Sequence, residues 1–340
     1  MKIFIATPAK IKTGGTELLH QLSHELNISG MDSYIFYYNS NDSNPMDKSF
    51  KQYTTQYITK IDEEDNNAIN ILIVSETKTS LIYEYPKMQR YIWWLSVDNY
   101  FKCLYSYRGI TIQRIKNIAR KLLNRAIVDI SSLDTPKKAF TFGKNQDDII
   151  HLCQSYYAMD FLKKNNINNA FYLSDYINPI YLTTRSSIIK ENIVLYNPKK
   201  GKKFTNQIIK FSKDLKWIPL INLSNEEVKA LLFRSKVYID FGNHPGKDRF
   251  PREAAACGCC IITGKKGAAK YVQDVSIASE FKFNDDEKEI SKIVSKIRTC
   301  LYDYDNQINK FEDYRNYIFN ENNNFKNDVT RIFKMKNEHE

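Results

Sequence analysis

The sequence lacks several things, and each absence removes a class of protein. No apolar run approaches the roughly 20 residues needed to cross a bilayer, so no segment reads as a transmembrane helix. The first residues, Met1-Lys-Ile-Phe-Ile-Ala-Thr-Pro8, pass straight into a strand pattern and do not read as a signal peptide. Among six cysteines, Cys257 and Cys260 have Cys-x-x-Cys spacing, but no second pair completes a zinc site. They read as structural thiols of a chain kept in a reducing cytoplasm. His20 and His24 stand one helical turn apart, yet no glutamate frames them as His-Glu-x-x-His and no third ligand is evident. They read as a partly packed pair, and no catalytic metal is expected. Internal repeats and long low-complexity tracts are absent as well.

What is present supports two folded domains. The chain has 340 residues, 42% of them hydrophobic and 13% aromatic, too many for one ordinary core and enough for two of roughly 150–180 residues. Lys and Arg outnumber Asp and Glu by 50 to 39, a formal +11, which favours anionic partners such as nucleotides, nucleic acid or a lipid surface.

Strand and helix patterns alternate along the chain. Lys2 to Ala6 reads as a strand, Thr7 to Thr13 as a loop, and Gly14-Gly15 opens a helix with Leu18, Leu22 and Leu26 on one face. Further strands are expected at Tyr34 to Tyr38, Ile71 to Val74, Tyr91 to Val97, Asp148 to Gln154 and Ala170 to Leu173, with a helix from near Ser155. A second series starts near residue 190. It has strands at Asn192 to Tyr196 and Trp217 to Leu223, a capping box at Ser224 to Glu227, a strand at Phe281 to Phe283 and a helix from about Asp285 to Leu301. Ile177 to Ser187 reads as a hinge. The fold class is therefore α/β, two doubly wound Rossmann-like halves with parallel sheets. The expected domains are 1–178 and 188–310, with 311–340 as terminal helices packing across them.

The richest stretch runs from Val237 to Thr263. A β-branched strand ends in a loop holding Gly242, His244, Pro245, Gly246, Lys247, Asp248 and Arg249. A small-residue helix follows, with Glu253 expected in its first turn, and Gly258 stops it before another apolar strand. The polar groups thus stand at the carboxyl end of a strand, where open α/β sheets bind ligands. Free backbone N–H groups and a helix N-terminus there suit a phosphate.

These residues resemble a known family. Gly14-Gly15-Thr-Glu17, Lys200-Gly201 after the first strand of the second half, and Pro251-Arg-Glu253-Ala-Ala-Ala-Cys-Gly258 before an apolar strand look like GT-B glycosyltransferases, most closely those that build bacterial surface polysaccharides. The specific match covers about 40 residues; the architecture covers most of the chain. The resemblance implies a GT-B fold, two halves facing across a cleft with the C-terminal helices crossing back. It implies a nucleotide sugar held by the second half and a glycan acceptor, commonly lipid-linked, held by the first. Glu253 matches the glutamate that holds the donor ribose, and Lys200 the lysine that neutralises the diphosphate. Gly14 and Gly15 match the glycine loop that approaches donor phosphate and acceptor. The chemistry agrees: a carboxylate accepts two hydroxyl hydrogen bonds, a lysine brings charge to phosphate, and glycine lets a backbone come close.

The pattern also departs from the family. Retaining members carry Glu-x7-Glu, but Pro245 stands eight before Glu253, and Asp248 is the nearest acid. The arginine usually found ahead of Lys-Gly is replaced by Asn197 and Lys199, leaving Lys247, Arg249 and Arg252 to supply positive charge beside Gly246. His244-Pro245 is similar to the His-Pro of bacterial sialyltransferases, in which the histidine faces the donor phosphate. Asp303-Tyr-Asp305 looks like the Asp-x-Asp of metal-dependent glycosyltransferases, but it follows a long helix and is rejected. The leaving-group charge then falls to Lys, Arg and helix dipoles, with no cofactor beyond the nucleotide-sugar substrate.

An inverting reaction needs a general base from the first half. Asp98, after Tyr91 to Val97, is the leading candidate, with a turn or helix cap as the plain alternative; Glu17 and Glu76 are weaker ones. Trp93 and Trp94 alternate, so one enters the core and the other is available to stack on a sugar. Phe101 to Val128 carries seven Lys and Arg and no acid, with Ile115, Ile118, Ala119, Leu122, Ala126 and Ile127 on one helical face. It reads either as an ordinary surface helix packed on the sheet or as a docking surface for anionic lipid. The expected activity is metal-independent glycosyl transfer in cell-surface polysaccharide biosynthesis, cytoplasmic and peripheral on the inner face of the membrane. A sugar-nucleotide epimerase of the same fold would need several acids and a histidine in one cleft. A basic nucleic-acid binder would need cations interleaved with exposed aromatics along a groove. Neither pattern is present, and no nucleic-acid partner is expected.

Overall fold

The computed structural model describes residues 1–53, 56–125, 127–143, 148–183 and 189–334. The chain forms two compact units. The first comprises Met1–Gln154, Ala158–Leu173 and the chain from Lys326; the second comprises Ser155–Tyr157 and Ser174–Phe325.

The first unit is built on seven parallel strands. They are β1 (Lys2–Pro8), β2 (Asp32–Tyr38), β3 (Tyr57–Ile58), β4 (Ile71–Ser75), β5 (Gln89–Trp94), β6 (Ile149–Cys153) and β7 (Ala170–Tyr172), in the order β3-β2-β1-β4-β5-β6-β7. Its helices are α1 (Gly14–Ile28), α2 (Leu81–Glu84), α3 (Val97–Cys103) and α4 (Tyr107–Leu122). Helix α5 (Tyr156–Lys164) connects β6 to β7. The central strands carry Ile3, Ile5, Leu72, Ile73, Tyr91 and Ile92 wholly buried, as parallel strands covered on both faces require.

The second unit has four parallel strands, β8 (Glu191–Tyr196), β9 (Lys216–Pro219), β10 (Ser235–Asp240) and β11 (Cys260–Thr263), in the order β11-β10-β8-β9. Its helices are α6 (Lys202–Phe211), α7 (Asn225–Arg234), α8 (Arg249–Ala256), α9 (Ile290–Tyr302), α10 (Tyr304–Asn309) and α11 (Glu312–Phe319). Helix α12 (Glu321–Phe333) begins in this unit and continues into the first. The capping box at Ser224 opens α7 as expected, its hydroxyl accepting the Glu227 N–H.

Several elements differ from the sequence reading for local reasons. The strand through Tyr91 stops at Trp94, because the Ser96 hydroxyl accepts the Asn99 N–H and turns the chain into α3. The strand expected at Phe281 is a short 3-10 turn, Ser279–Phe281, with one bridge from Lys282 to Thr263. The following helix starts at Ile290, after a turn capped by Asp286. Both indoles are wholly buried: Trp93 donates to the Leu173 carbonyl at 3.1 Å and Trp94 to His151 Nδ1 at 2.9 Å. Neither is left to stack on a sugar. His20 is also fully packed, bridging the Thr16 carbonyl and the Tyr37 hydroxyl, and burial lowers its pKa to about 4. The basic stretch divides at Leu104 into α3 and α4, and α4 ends at Leu122, so Ile127 lies beyond it. Ala126, Thr184 to Ser187 of the hinge, and the chain after Lys334 fall outside the described residues. Among the described residues no helix is long and apolar enough to cross a membrane.

Candidate functional site

In the second sheet the chain runs from β8 outward to β9, then returns to the other side of β8 as β10. The reversal places a switch point between β8 and β10, the crevice in which open α/β sheets hold ligands beyond the strands' carboxyl ends. The two loops that leave these ends are Asn197–Gly201 and Phe241–Asp248.

The loops are pressed together, and glycine makes this possible. Gly201, the N-cap of α6, has φ +55°, and a Cβ on it would lie 2.3 Å from the Phe241 carbonyl oxygen. A Cβ on Gly242 would lie 2.6 Å from Lys200 Cβ. Asn197 folds the first loop, its side chain accepting the Lys199 N–H at 3.0 Å and its carbonyl the Lys200 N–H at 3.0 Å. Lys199 points to solvent, while Lys200 reaches across to form an ion pair with Asp248. Gly201 and Asp248, the N-cap residues of α6 and α8, make no side-chain capping bond. Two helix N-termini therefore open at this crevice without a bond from their N-cap side chains, alongside lysines, an arrangement that suits an anion.

Beneath Lys200 lies a histidine clamp. His244 is wholly buried, with Nδ1 3.0 Å from Asp248 and Nε2 3.6 Å from Asp240. Burial alone would strip the ring of its proton. The contact with Asp248 and the charges of Asp240 and Asp248 outweigh that penalty and raise the His244 pKa. Burial would likewise raise the Asp248 pKa, but His244 and Lys200 outweigh it and hold the carboxyl below its ordinary range. Asp240 is fixed in turn, accepting the Gly242 N–H at 2.9 Å and the Tyr238 hydroxyl at 3.1 Å. Asp240, His244 and Asp248 offer ligand atoms within 4.8 Å of one another, a spacing that would admit a cation. The carboxylates, however, face opposite ring nitrogens, and Lys200 already sits on one of them. This arrangement fits a histidine clamped between two carboxylates better than a metal.

Lys247 and Arg252 face a different environment from the one expected of them. Arg252 is wholly buried and donates to Asp175 at 2.9 Å, to Glu321 at 2.8 Å and to the Lys247 carbonyl at 2.9 Å. Lys247, also buried, donates to Ser174 and Tyr317 at 2.8 Å each and pairs with Glu321 at 3.0 Å. Burial penalises the Asp175 charge, yet Arg252, Arg249 and Lys247 together hold its pKa below the ordinary value. Both cations are thus paired with internal acids. Arg249 opens α8, half-buried and 3.6 Å from Asp175, and Gly246 is buried in the loop before it. Glu253 is the fifth residue of α8 rather than part of its first turn, and it is 8% exposed.

The first unit has its own switch point, between β1 and β4. Gly14 and Gly15 start α1 there, with Thr13 as cap, and Glu76 follows β4. Glu76 is buried and accepts the Leu95 N–H at 2.9 Å; burial drives its carboxyl up to about 8. Asp98 is the second residue of α3, in the helix's first turn. Glu17 accepts the Tyr53 hydroxyl at 2.7 Å.

Sequence reasoning missed Asp175, Asp240 and Glu321. Asp240 had a usable signal, since it stands four residues before His244, as Asp248 stands four after. The other two act from 77 and 69 residues away and carry no local mark.

No protein-family model matches the sequence, and no curated protein matches it. Solved structures do match the fold. HepE from Anabaena, in complex with UDP-glucose, aligns with a TM-score of 0.60 at 10% identity, covering 98% of this chain and 100% of that one. A glycosyltransferase from Rickettsia africae aligns with a TM-score of 0.60 at 12% identity over 99% and 98%. WaaG, a glycosyltransferase of lipopolysaccharide biosynthesis, aligns with a TM-score of 0.52 at 10% identity over 96% and 99%. At these identities the likeness shows the fold, which is that of the GT-B glycosyltransferases.

Proposed function

We propose that the chain is a glycosyltransferase that moves a hexosyl or related group from a nucleotide sugar to a glycan acceptor. The observation that carries this reading is the placement of two helix N-termini, whose N-cap side chains make no capping bond, with Lys199 and Lys200 at the second sheet's switch point. It occurs in a fold shared end to end with enzymes such as HepE, which binds UDP-glucose. Lys200, Lys199 and the α6 amides take the diphosphate, with Arg249 adding charge. Glu253 takes the ribose hydroxyls. His244 and Asp248 hold Lys200 in place.

In this reading a carboxylate of the first unit deprotonates the acceptor hydroxyl. Asp98 and Glu76 are the two candidates. The switch-point position of Glu76 and its pKa near neutrality favour it, because a base works best when its pKa lies close to the working pH. The acceptor is lipid-linked, and the protein works in cell-surface polysaccharide biosynthesis, in the cytoplasm at the inner face of a membrane. WaaG, whose role is in lipopolysaccharide biosynthesis, supports that setting. Charge on the leaving group is met by lysine and helix amides without a metal, so turnover is expected to survive EDTA.

Thermal-shift and calorimetric titration with UDP, GDP and CMP test the reading. One of them should stabilise the wild type. Lys200→Ala should weaken it by about 10- to 100-fold, the worth of a charge-assisted hydrogen bond. If no nucleotide binds, or Lys200→Ala leaves affinity unchanged, the donor-site assignment fails.

A further inference from the structure

Helix α4 is turned the wrong way round for a helix that belongs to a soluble surface. Of its sixteen residues only Gln113 is buried. At 100° per residue, Tyr107, Ile112, Ile115, Ile118 and Leu122 fall within an arc of about 140°, interrupted towards its N-terminal end by Arg108 and Thr111, and Gln113 lies nearly opposite. The polar side faces inward. Gln113 donates to Asn117, whose side chain holds both backbone groups of Val128, at 2.6 and 3.1 Å. The apolar arc faces out: Ile115 is 62% exposed, Ile118 64% and Leu122 82%. A core-packing amphipathic helix would do the reverse.

We infer that α4 is an interfacial helix that lays its isoleucine–leucine face into the surface of an anionic bilayer. Three observations select this occupant. The stretch 101–128 carries seven basic residues and no acid, which complements anionic headgroups. A second copy of the chain would bring like charges together. Arg114 and Lys121 flank one edge of the apolar arc and Lys116 the other, so their stems can follow the apolar face down while their charges stay at headgroup level. At sixteen residues the helix is about 24 Å long, and with its charges it suits lying in the interface rather than crossing it. A nucleic acid would engage the cations but gain nothing from the aliphatic arc. The inference does not depend on the transfer reaction, because it is read without donor or acceptor.

The test is co-sedimentation of the full chain with vesicles of 70% phosphatidylcholine and 30% phosphatidylglycerol, against pure phosphatidylcholine. Binding is expected to the first and not the second. Lys116→Gln with Lys121→Gln should weaken it roughly 30-fold, from about fivefold per basic residue near an anionic surface. Ile115→Ser with Ile118→Ser should weaken it by more than about 100-fold, since each aliphatic chain is worth roughly tenfold or more on burial. All four positions are exposed, so circular dichroism and Tm should be unchanged. Failure to bind, equal binding to both vesicles, or full binding by the isoleucine variant would overturn the inference. So would an Ile115-dependent dimer in sedimentation velocity or a duplex-RNA complex insensitive to the serine changes.

Discussion

Arg252 is the residue whose two readings separate most sharply. Arg252→Met removes a buried guanidinium and leaves Asp175 and Glu321 facing each other across the gap. Breaking a buried pair by deleting one partner costs about 3–5 kcal/mol, because an uncompensated charge stays behind. Here the lower end applies. Asp175 keeps Arg249 at 3.6 Å and Glu321 keeps Lys247 at 3.0 Å, so each acid retains one cation. A loss of about 3 kcal/mol in a unit of this size lowers Tm by roughly 6–12 °C. Differential scanning calorimetry on the full chain reads it. A quadruple variant, Arg252→Met and Lys247→Met with Asp175→Asn and Glu321→Gln, removes the buried charges together and should recover most of the loss, since an ion cluster replaced as a whole is close to neutral. Nucleotide affinity, measured well below Tm, should stay within about threefold of wild type in both variants. An unchanged Tm together with a tenfold or greater loss of nucleotide affinity would refute the reasoning and return Arg252 to the donor.

Glu76→Gln should cost roughly 100- to 10,000-fold in kcat/KM, the usual worth of a general base, while Asp98→Asn should stay within a few-fold. The active form of Glu76 is the deprotonated one, so wild-type kcat/KM should climb with pH, reach half its maximum near about 8 and level off above it; a profile flat from pH 6 to 9 would remove Glu76 from that role. His20 and His151 are both buried with pKa values lowered to about 4, below the unfolded value of about 6.5. The unfolded chain then takes up protons that the folded one refuses. The stability each neutral ring supplies is complete above about pH 6.5 and is lost progressively as pH falls towards 4. For each histidine that is about 1.4 kcal/mol per pH unit across the window. Urea midpoints at pH 7, 5.5 and 4.5 should fall steadily, and less steeply in His20→Gln.

The repeating strand–helix units were legible because strands of buried aliphatics and helices with one apolar stripe leave different periods in the sequence. The loop from Gly242 to Arg249 was legible for the same reason: a polar, glycine-containing break at a strand's end has few structural uses. Orientation was not legible. The apolar stripe of α4 reads the same from the sequence whether it packs on the sheet or faces out, and only the inward turn of Gln113 and Asn117 decides it. The two tryptophans misled because alternation along a strand implies an open face, and in a sheet covered on both sides neither face is open. The acids beside Lys247 and Arg252 were not legible either, because a cation next to a phosphate-like loop looks alike whether its acid is a ligand or a residue far along the chain.

The joint between Gly201 and Gly242 also constrains how this sequence can drift. A side chain at either position would push apart the loops that set Lys200 beside Asp248. Lys199, Lys202 and Lys203 are exposed and can be exchanged at little structural cost. Over evolutionary time the positive charge around this crevice is therefore free to migrate from one lysine to another, while the two glycines stay put. In a set of divergent homologues, that pairing would identify the crevice more reliably than any single charged residue in it.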